Sequence, residues 1–267
     1  MPDDTPLDTH ASNIPTNLRL LLALEEMARI GVPVTPTKVN EKLGLPKPTV
    51  HRLFHTMEEQ GFVQRDIDGK SYSPGRRLRK LSTNVLSSLR VRTVRLTILN
   101  NVADTIGETC NIATADRDAM IYLDRVETKW PLRIQLPIGT SVPFHCTASG
   151  KMYLSSLNPQ HFHKFLDAAR LEPKTAQSMT DRETLKSEIE KVRANGYSVD
   201  DQEFMDGMVA IAVPILDDQQ RFLSTLSVHA PIQRVTVDQL RAHLPLLHAS
   251  SQKLSELLVR DDMTVPE

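Results

Sequence analysis

The sequence has little cysteine and no long hydrophobic run. Only Cys110 and Cys146 occur in 267 residues, so we expect no disulfide framework and a location in the reducing cytoplasm. No window reaches the ~18 uninterrupted apolar residues of a membrane-spanning helix. The chain begins with the polar, acidic stretch MPDDTPLDTHASNIPT, which lacks the basic and apolar parts of a signal peptide. We therefore expect residues 1–15 to be a disordered tail.

Catalytic signatures are also missing. The sequence contains no G-x-S-x-G, H-E-x-x-H or C-x-x-C pattern and no glycine-rich phosphate loop. His145 and Cys146 beside Ser149 could form a nucleophile site, but no third group can be placed, and such a cysteine is more often a small buried residue. His161 and His163 are two residues apart and do not share a helical face. We therefore expect no enzyme activity, no cofactor and no metal.

The charge of the chain is unevenly distributed. The net charge is only −1, yet thirteen basic and five acidic residues stand between Lys38 and Arg95, a balance of +8 that leaves −9 for the rest. A basic segment joined to an acidic remainder indicates a polyanion-binding domain beside a domain with another task. A length of 267 residues suits two modest domains.

Residues 16–75 have the pattern of three short helices and a hairpin. A helix is predicted over 16–30, and a second begins after Thr35, with Pro36 at its first position. The stretch GLPKPTVHRLFHTM predicts a third helix that ends near Gln60, with apolar residues spaced along one face. FVQRDIDGKSYS then reads as a hairpin that turns at Asp68-Gly69. This pattern predicts a winged helix-turn-helix; the alternative is a helical hairpin with a solvated charged face.

In a winged helix-turn-helix the third helix enters the DNA major groove by its N-terminal end. A stiff LPKP turn would fix the angle of entry, and backbone N–H groups at the helix start would favour a phosphate. Arg52 could read guanine through a bidentate contact, and Arg65 and Lys70 flank the hairpin tip. The predicted contacts to double-stranded operator DNA are Thr35, Lys38, Lys47, Thr49, His51, Arg52, Arg65, Lys70 and Arg76.

The rest of the chain predicts a long helix followed by an α+β domain. Residues 76–107 read as a linker helix whose apolar stripe includes Leu78, Leu81, Val94, Ile98 and Val102. We expect this stripe to contact a second chain, although a connector packed on its own chain is the alternative. Residues 108–262 alternate strands and helices, which predicts an antiparallel sheet with helices packed on it. Among these elements we predict a strand at 131–139 and a single final helix at 236–259.

Three motifs resemble the IclR family of bacterial transcription regulators. They are GLPKPTVHRLFHTMEEQGFV, then YLDRVE with PIGTSVPFHCTASGKMYL, and last RANGYSVDDQEFMDGMVAIAVPI with LSVHAP. The resemblance implies a winged-helix domain, a linker helix and an effector domain similar to the GAF fold. It implies operator binding as a dimer or a dimer of dimers, and a small organic or aromatic acid as effector. Repression of a catabolic operon is the expected function; an activator, or a small-molecule-binding enzyme, is the alternative.

The resemblance also implies an effector pocket. Ala210 stands where the family often has cysteine, and Ser227 and His229 stand where it often has two serines. These departures imply a roomier pocket for an aromatic or apolar acid, with a histidine able to charge near neutral pH. Asp200 would then bond a ligand hydroxyl or order His229. A satisfied core or surface histidine is the alternative for His229. The implied effector-binding residues are Ile134, Ala148, Ser149, Asp200, Ala210, Ser227 and His229.

Overall fold

The computed structural model describes residues 14–86, 89–131, 133 and 136–259. The side chains of residues 83–86, 89–91, 258 and 259 lie outside this description, as does most of the predicted tail at 1–15. The chain forms two compact units that meet in sequence between residues 86 and 87.

The N-terminal unit is a winged helix-turn-helix, as the sequence predicts. Its core is formed by the inner faces of the first three helices, including Ala23, Met27, Val39, Val50 and Phe54. The elements are α1 (Arg19–Ile30), α2 (Pro36–Leu43), α3 (Lys47–Glu59), β1 (Val63–Arg65), β2 (Tyr72–Pro74) and α4 (Arg76–Leu86).

The turn between α2 and α3 is fixed by one side chain. The Asn40 side chain donates to the carbonyl of Leu45 at 2.7 Å and accepts from its N–H at 2.9 Å. Gly44 ends α2 in the left-handed region with φ of 62°, a conformation that glycine adopts without strain. Asn40, which sequence reasoning passed over, thus completes the proline-stiffened turn.

The tip of the hairpin differs from the two-residue turn predicted at Asp68-Gly69. Arg65 pairs with Tyr72, so six residues connect the strands. Within them, the N–H of Gly69 donates to the carbonyl of Asp66 at 2.9 Å. A two-residue type I′ turn needs a positive φ at both central residues; Gly69 has one, at 67°, and Asp68 does not.

The C-terminal unit is built on one six-stranded antiparallel sheet in the order β5-β4-β3-β8-β7-β6. On one face, residues such as Ile211, Val228 and Leu226 pack with Leu99, Val102 and Leu247 into an apolar core. The elements are α5 (Leu89–Ile106), β3 (Thr109–Asp116), β4 (Ala119–Val126), β5 (Ser141–Pro143), α6 (Ala148–Ser156), α7 (Pro159–Ala168), α8 (Arg182–Asn195), β6 (Ser198–Asp201), β7 (Met208–Leu216), β8 (Phe222–Pro231), α9 (Val237–Arg241) and α10 (Leu244–Val259).

Two predicted elements of the C-terminal unit are wrong. The described residues of 131–139 are not in a strand, and the strand lies at β5 instead. The final helix is divided into α9 and α10 because Pro245 cannot donate a helical hydrogen bond, and its ring collides with the carbonyl four residues earlier, at Arg241. α9 ends at that residue.

The predicted apolar stripe of the linker is only partly available to a second chain. Val102 of α5 is fully buried in the core of its own unit, and Ile98 packs against that core, whereas Leu81 of α4 is 50% exposed. Arg95 is buried as well, and its Nε donates to Asp124 at 2.7 Å. The α5 half of the stripe therefore follows the alternative, a helix packed on its own chain.

Candidate functional site

The outward face of α3 carries the predicted base-reading residues. Lys47, His51 and Arg52 are exposed, and Thr49 is half-buried. Val50, Phe54 and Met57 point into the core, so the outward residues occupy the opposite face of the same turns. The arrangement gives one surface on which three basic or imidazole side chains surround the start of the helix.

The start of α3 offers fewer backbone donors than the sequence reasoning assumed. Pro48 has no N–H, and the N–H of Thr49 already donates to the carbonyl of Pro46 at 2.9 Å. A phosphate at this helix end would therefore depend mainly on the side chains of Lys47 and Arg52 rather than on a row of N–H groups.

Two predicted DNA contacts at the start of α2 also have structural partners. The Thr35 hydroxyl caps α2 by accepting from the N–H of Lys38 at 3.3 Å. The Lys38 ammonium lies 2.5 Å from Glu41, and both side chains are about 60% exposed. Such an exposed pair is weak, so Lys38 can exchange Glu41 for a phosphate.

Arg65 joins the wing, residues 63–74, to the recognition helix α3. Its guanidinium donates to both carboxylate oxygens of Glu58, at 3.1 and 2.8 Å, and to the carbonyl of Gly69 at 3.0 Å. Tyr72 adds a hydroxyl bond to Glu58 at 3.2 Å and packs on Phe54. These hydrogen bonds, Arg65 first, lower the pKa of Glu58. Arg65 thus has a structural role besides its predicted DNA contact, while Lys70 and Arg76 are exposed.

The second candidate site is the polar face of the C-terminal sheet, opposite the apolar core. Residues paired across neighbouring strands lie on the same face of a sheet. One row contains Asp200, Ala210, His229 and Thr109, and the next contains Ser198, Ala212, Ser227, Asn111 and Arg125. Helix α6 packs over these strands, so the two rows form the floor beneath its N-terminus.

The structure brings most of the predicted effector-binding residues into this layer. Ala148 of α6 and Ala210 of β7 belong to one small apolar cluster with Ala212. Ser227 lies 3.2 Å from the Nε2 of His229. Ser149 is buried, and its hydroxyl has no hydrogen-bond partner in the described part of the chain. Ile134 lies outside the described residues.

His229 is neutral, contrary to the expectation that it charges near neutral pH. Burial, and then the positive charge of Arg125, lower its pKa to about 3. The ring shares a hydrogen bond with Ser227 and meets the edge of Tyr122, with ring centroids 6.0 Å apart. A neutral imidazole can still donate or accept one hydrogen bond towards a ligand.

The expectation that Asp200 orders His229 is wrong, because Asp200 accepts from backbone N–H groups instead. Its Oδ1 accepts from the N–H groups of Glu203 and Phe204, at 2.8 and 3.3 Å, and so fixes the turn after β6. Burial, together with the charge of Glu203, raises the pKa of Asp200 to about 7. The pKa of Glu203 is also raised by burial, although its carboxylate accepts a short hydrogen bond from the buried Lys151.

Sequence reasoning missed two polar residues of this floor. The side chain of Arg125 of β4 is 4% exposed and donates to the Oδ1 of Asn111 at 2.9 Å. The Nδ2 of Asn111 is buried with no hydrogen-bond partner in the described residues. Both are recognisable only from strand register, because Arg125 pairs with Asn111, which pairs with Ser227.

The nucleophile alternative has no support in the geometry of Cys146. Burial raises the pKa of the Cys146 thiol to about 12, so it is protonated at neutral pH and a poor nucleophile. The Nε2 of His145 lies 3.0 Å from the carbonyl oxygen of Glu172. Within the described ranges, no group of three or more His, Cys, Asp or Glu side chains could hold a metal ion. No helix described by the structure is long and apolar enough to cross a membrane.

Comparison with known proteins matches both units. The profile "IclR helix-turn-helix domain" matches residues 18–66, and "Bacterial transcriptional regulator IclR C-terminal" matches residues 83–256. The "Probable transcriptional regulator SauR" of Cupriavidus necator is 35% identical over 89% of this chain and 94% of its own length. The "Acetate operon repressor" of Salmonella typhimurium is 30% identical over 83% of this chain and 81% of its own length.

A solved structure of an effector domain is similar to the C-terminal unit. The inducer-binding domain of a PobR transcription factor double mutant from Acinetobacter, in complex with 3-hydroxybenzoic acid, has a TM-score of 0.58 and 26% identity. The match covers 62% of this chain and 97% of that domain.

Proposed function

Because the chain belongs to the IclR family of bacterial transcriptional regulators, we propose that it is a repressor of a catabolic operon that releases its operator when a small carboxylate binds. Its DNA-binding role follows from the helix-turn-helix domain of that family. The same membership makes it a regulator rather than an enzyme. Because it acts on a bacterial operator, we expect it in the cytoplasm.

The observation that supports the effector site is a pair of buried hydrogen-bond donors that have no acceptor among the described residues. Buried polar atoms are nearly always hydrogen-bonded in native proteins, and each unsatisfied one costs about 1–3 kcal/mol. The Ser149 hydroxyl and the Asn111 Nδ2 have no partner among the described residues. A carboxylate bound between α6 and the sheet would supply oxygen acceptors to both, and Arg125 would supply the compensating charge.

Apolar walls beside these donors favour an acid with an apolar body. Ala148, Ala210 and Ala212 form a small apolar cluster between α6 and the sheet and offer no polar atoms from their side chains. Tyr122 and the neutral His229 ring add aromatic surface. The 3-hydroxybenzoic acid bound to the Acinetobacter domain gives the size of acid to test first. We propose an aromatic acid as the first choice.

A binding measurement with matched variants tests the site. Calorimetric titration of wild type with hydroxybenzoates and short-chain acids should identify a ligand. The Ser227→Ala, His229→Ala double variant and the Arg125→Met variant should each bind that ligand at least about tenfold more weakly. Ser224→Ala is the control, because Ser224 is buried on the same strand but on the face packed with the apolar core. If the double variant and Arg125→Met both bind as tightly as wild type, the effector site lies elsewhere.

A further inference from the structure

Ile67, at the tip of the wing, is the most exposed large apolar side chain in the described part of the chain. It is 91% exposed, whereas Leu21, the next, is 61% exposed; Val32, also in the N-terminal unit, is 45% exposed. An isoleucine held so fully in water contributes nothing to the stability of the unit, since burial is what makes an apolar side chain stabilising.

The backbone around Ile67 is held firmly. The N–H of Asp66 donates to the carbonyl of Ser71 at 2.8 Å, and the N–H of Gly69 donates to the carbonyl of Asp66. The Asp66 carboxylate accepts from the N–H of Ile67 at 2.8 Å. Arg65 donates to the carbonyl of Gly69. Ile67 is therefore presented at a fixed position, which lowers the entropic cost of any contact it makes.

The two acidic neighbours of Ile67, Asp66 and Asp68, do not prevent the tip of the wing from approaching DNA. The two oxygens of Asp68 accept from the N–H groups of Lys70 and Ser71 and from the Ser71 hydroxyl, at 2.7–2.8 Å. Both flanking carboxylates are thus turned into the hairpin. Lys70 and Arg65 supply positive charge on either side of the turn.

The wing is attached to α3, which sets the groove that its tip can reach. Glu58 on the last turn of α3 holds both Arg65 and Tyr72 of the hairpin. A helix in the major groove is bordered on each side by a phosphate backbone, and the minor groove lies beyond that backbone. An arm attached to α3 that reaches past that backbone would meet the adjoining minor groove.

We propose that Ile67 enters the minor groove beside each half-site and selects A·T pairs there. This rests on the DNA-binding function and adds a specificity determinant to it. The minor-groove floor of a G·C pair carries the guanine 2-amino donor, which an A·T pair lacks. Isoleucine packed on that donor would bury it without an acceptor, which is unfavourable, whereas apolar wedges are a known means of minor-groove contact.

Base analogues that alter only the minor groove test this proposal. The operator is first located by hydroxyl-radical footprinting of the DNA beside the gene. In the base pairs that the wing protects, 2,6-diaminopurine then replaces adenine, which adds the 2-amino group, or inosine replaces guanine, which removes it. The dissociation constant of each duplex is measured by fluorescence anisotropy for wild type, Ile67→Ser and the control Val32→Ser, with thermal unfolding to establish that each variant is folded.

Wild type and Val32→Ser should bind the diaminopurine duplex about fivefold or more weakly than the adenine duplex, and inosine should strengthen binding where guanine stood. Ile67→Ser should bind all these duplexes with nearly equal affinity. An Ile67→Ser variant that keeps the wild-type ratio, or loses affinity equally for every duplex, would overturn the proposal. If wild type binds no operator, it is the DNA-binding function itself that fails.

Discussion

At the scale of single residues, Arg52 and Lys70 separate base reading from phosphate binding. Arg52 projects from the first turns of α3, and Lys70 from the wing; both are exposed. Arg52→Ala should weaken binding to the operator by ~1–3 kcal/mol and leave a scrambled duplex almost unaffected. Lys70→Ala should weaken both alike and reduce the slope of log affinity against log salt by about one. Equal losses on both duplexes for Arg52→Ala would show that Arg52 does not read a base.

The raised pKa of Asp200 predicts a pH dependence of stability. Its folded-state pKa of about 7 lies above the ordinary value of 3.8, so between these values the folded state binds more protons than the unfolded state. The free energy of unfolding therefore falls with rising pH in this window, by up to about 1.4 kcal/mol per pH unit. Asp200→Asn keeps an acceptor oxygen for the N–H groups of Glu203 and Phe204. It should therefore remove this decrease in the free energy of unfolding.

The measurement is urea unfolding at pH 5, 6, 7 and 8, read as the difference between Asp200→Asn and wild type. The difference is used because His229 also titrates. Its depressed pKa makes the free energy of unfolding rise with pH below about pH 6.5, opposite to the effect of Asp200, and this contribution cancels between the two proteins. The variant should gain stability relative to wild type as pH rises. A difference that stays constant from pH 5 to 8 would show that Asp200 is not titrating there.

At the scale of elements, the attachment of the wing to α3 predicts an effect opposite to simple electrostatics. Glu58→Gln removes a negative charge beside the DNA-binding face, which alone would tighten binding. It also weakens the hydrogen bonds to Arg65 and Tyr72, so we expect operator binding weaker by about 1 kcal/mol and faster amide exchange in the wing. Glu59→Gln is the control, because Glu59 is 60% exposed and pairs only weakly with His55; it should not weaken binding.

Local signals predicted most helices and strands, and distant contacts account for most of what was missed. The break before Pro245 is the exception, because that proline is a local signal that the predicted single helix overlooked. Thr35, Gly31 and Gly44 bound the first helices as their residue types indicate, because capping depends on neighbours in sequence. The position of β5 and the burial of Arg95 depend on partners far along the chain, such as Asp124. Arg125 and Asn111 of the effector site were missed for the same reason: strand register is a long-range property.

At the scale of the whole molecule, we expect a two-fold assembly. Light scattering at micromolar concentration should give at least a dimer, and footprinting should show an inverted repeat with half-sites spaced by whole helical turns. The exposed Leu81 of α4 is part of the predicted contact, so Leu81→Glu should shift the protein towards monomer. A wild-type monomer that still binds its operator would contradict this prediction.

The most direct test of the account is the coupling between acid and operator. Operator affinity is measured by anisotropy with and without the acid that binds wild type, for wild type, the Ser227→Ala, His229→Ala double variant and Ser224→Ala. The account predicts that the acid weakens operator binding roughly 5- to 150-fold, as is usual for two linked sites, in wild type and Ser224→Ala. The double variant should bind the operator normally and lose this response at the same acid concentration. Equal release of the operator from the double variant and from wild type would contradict the account.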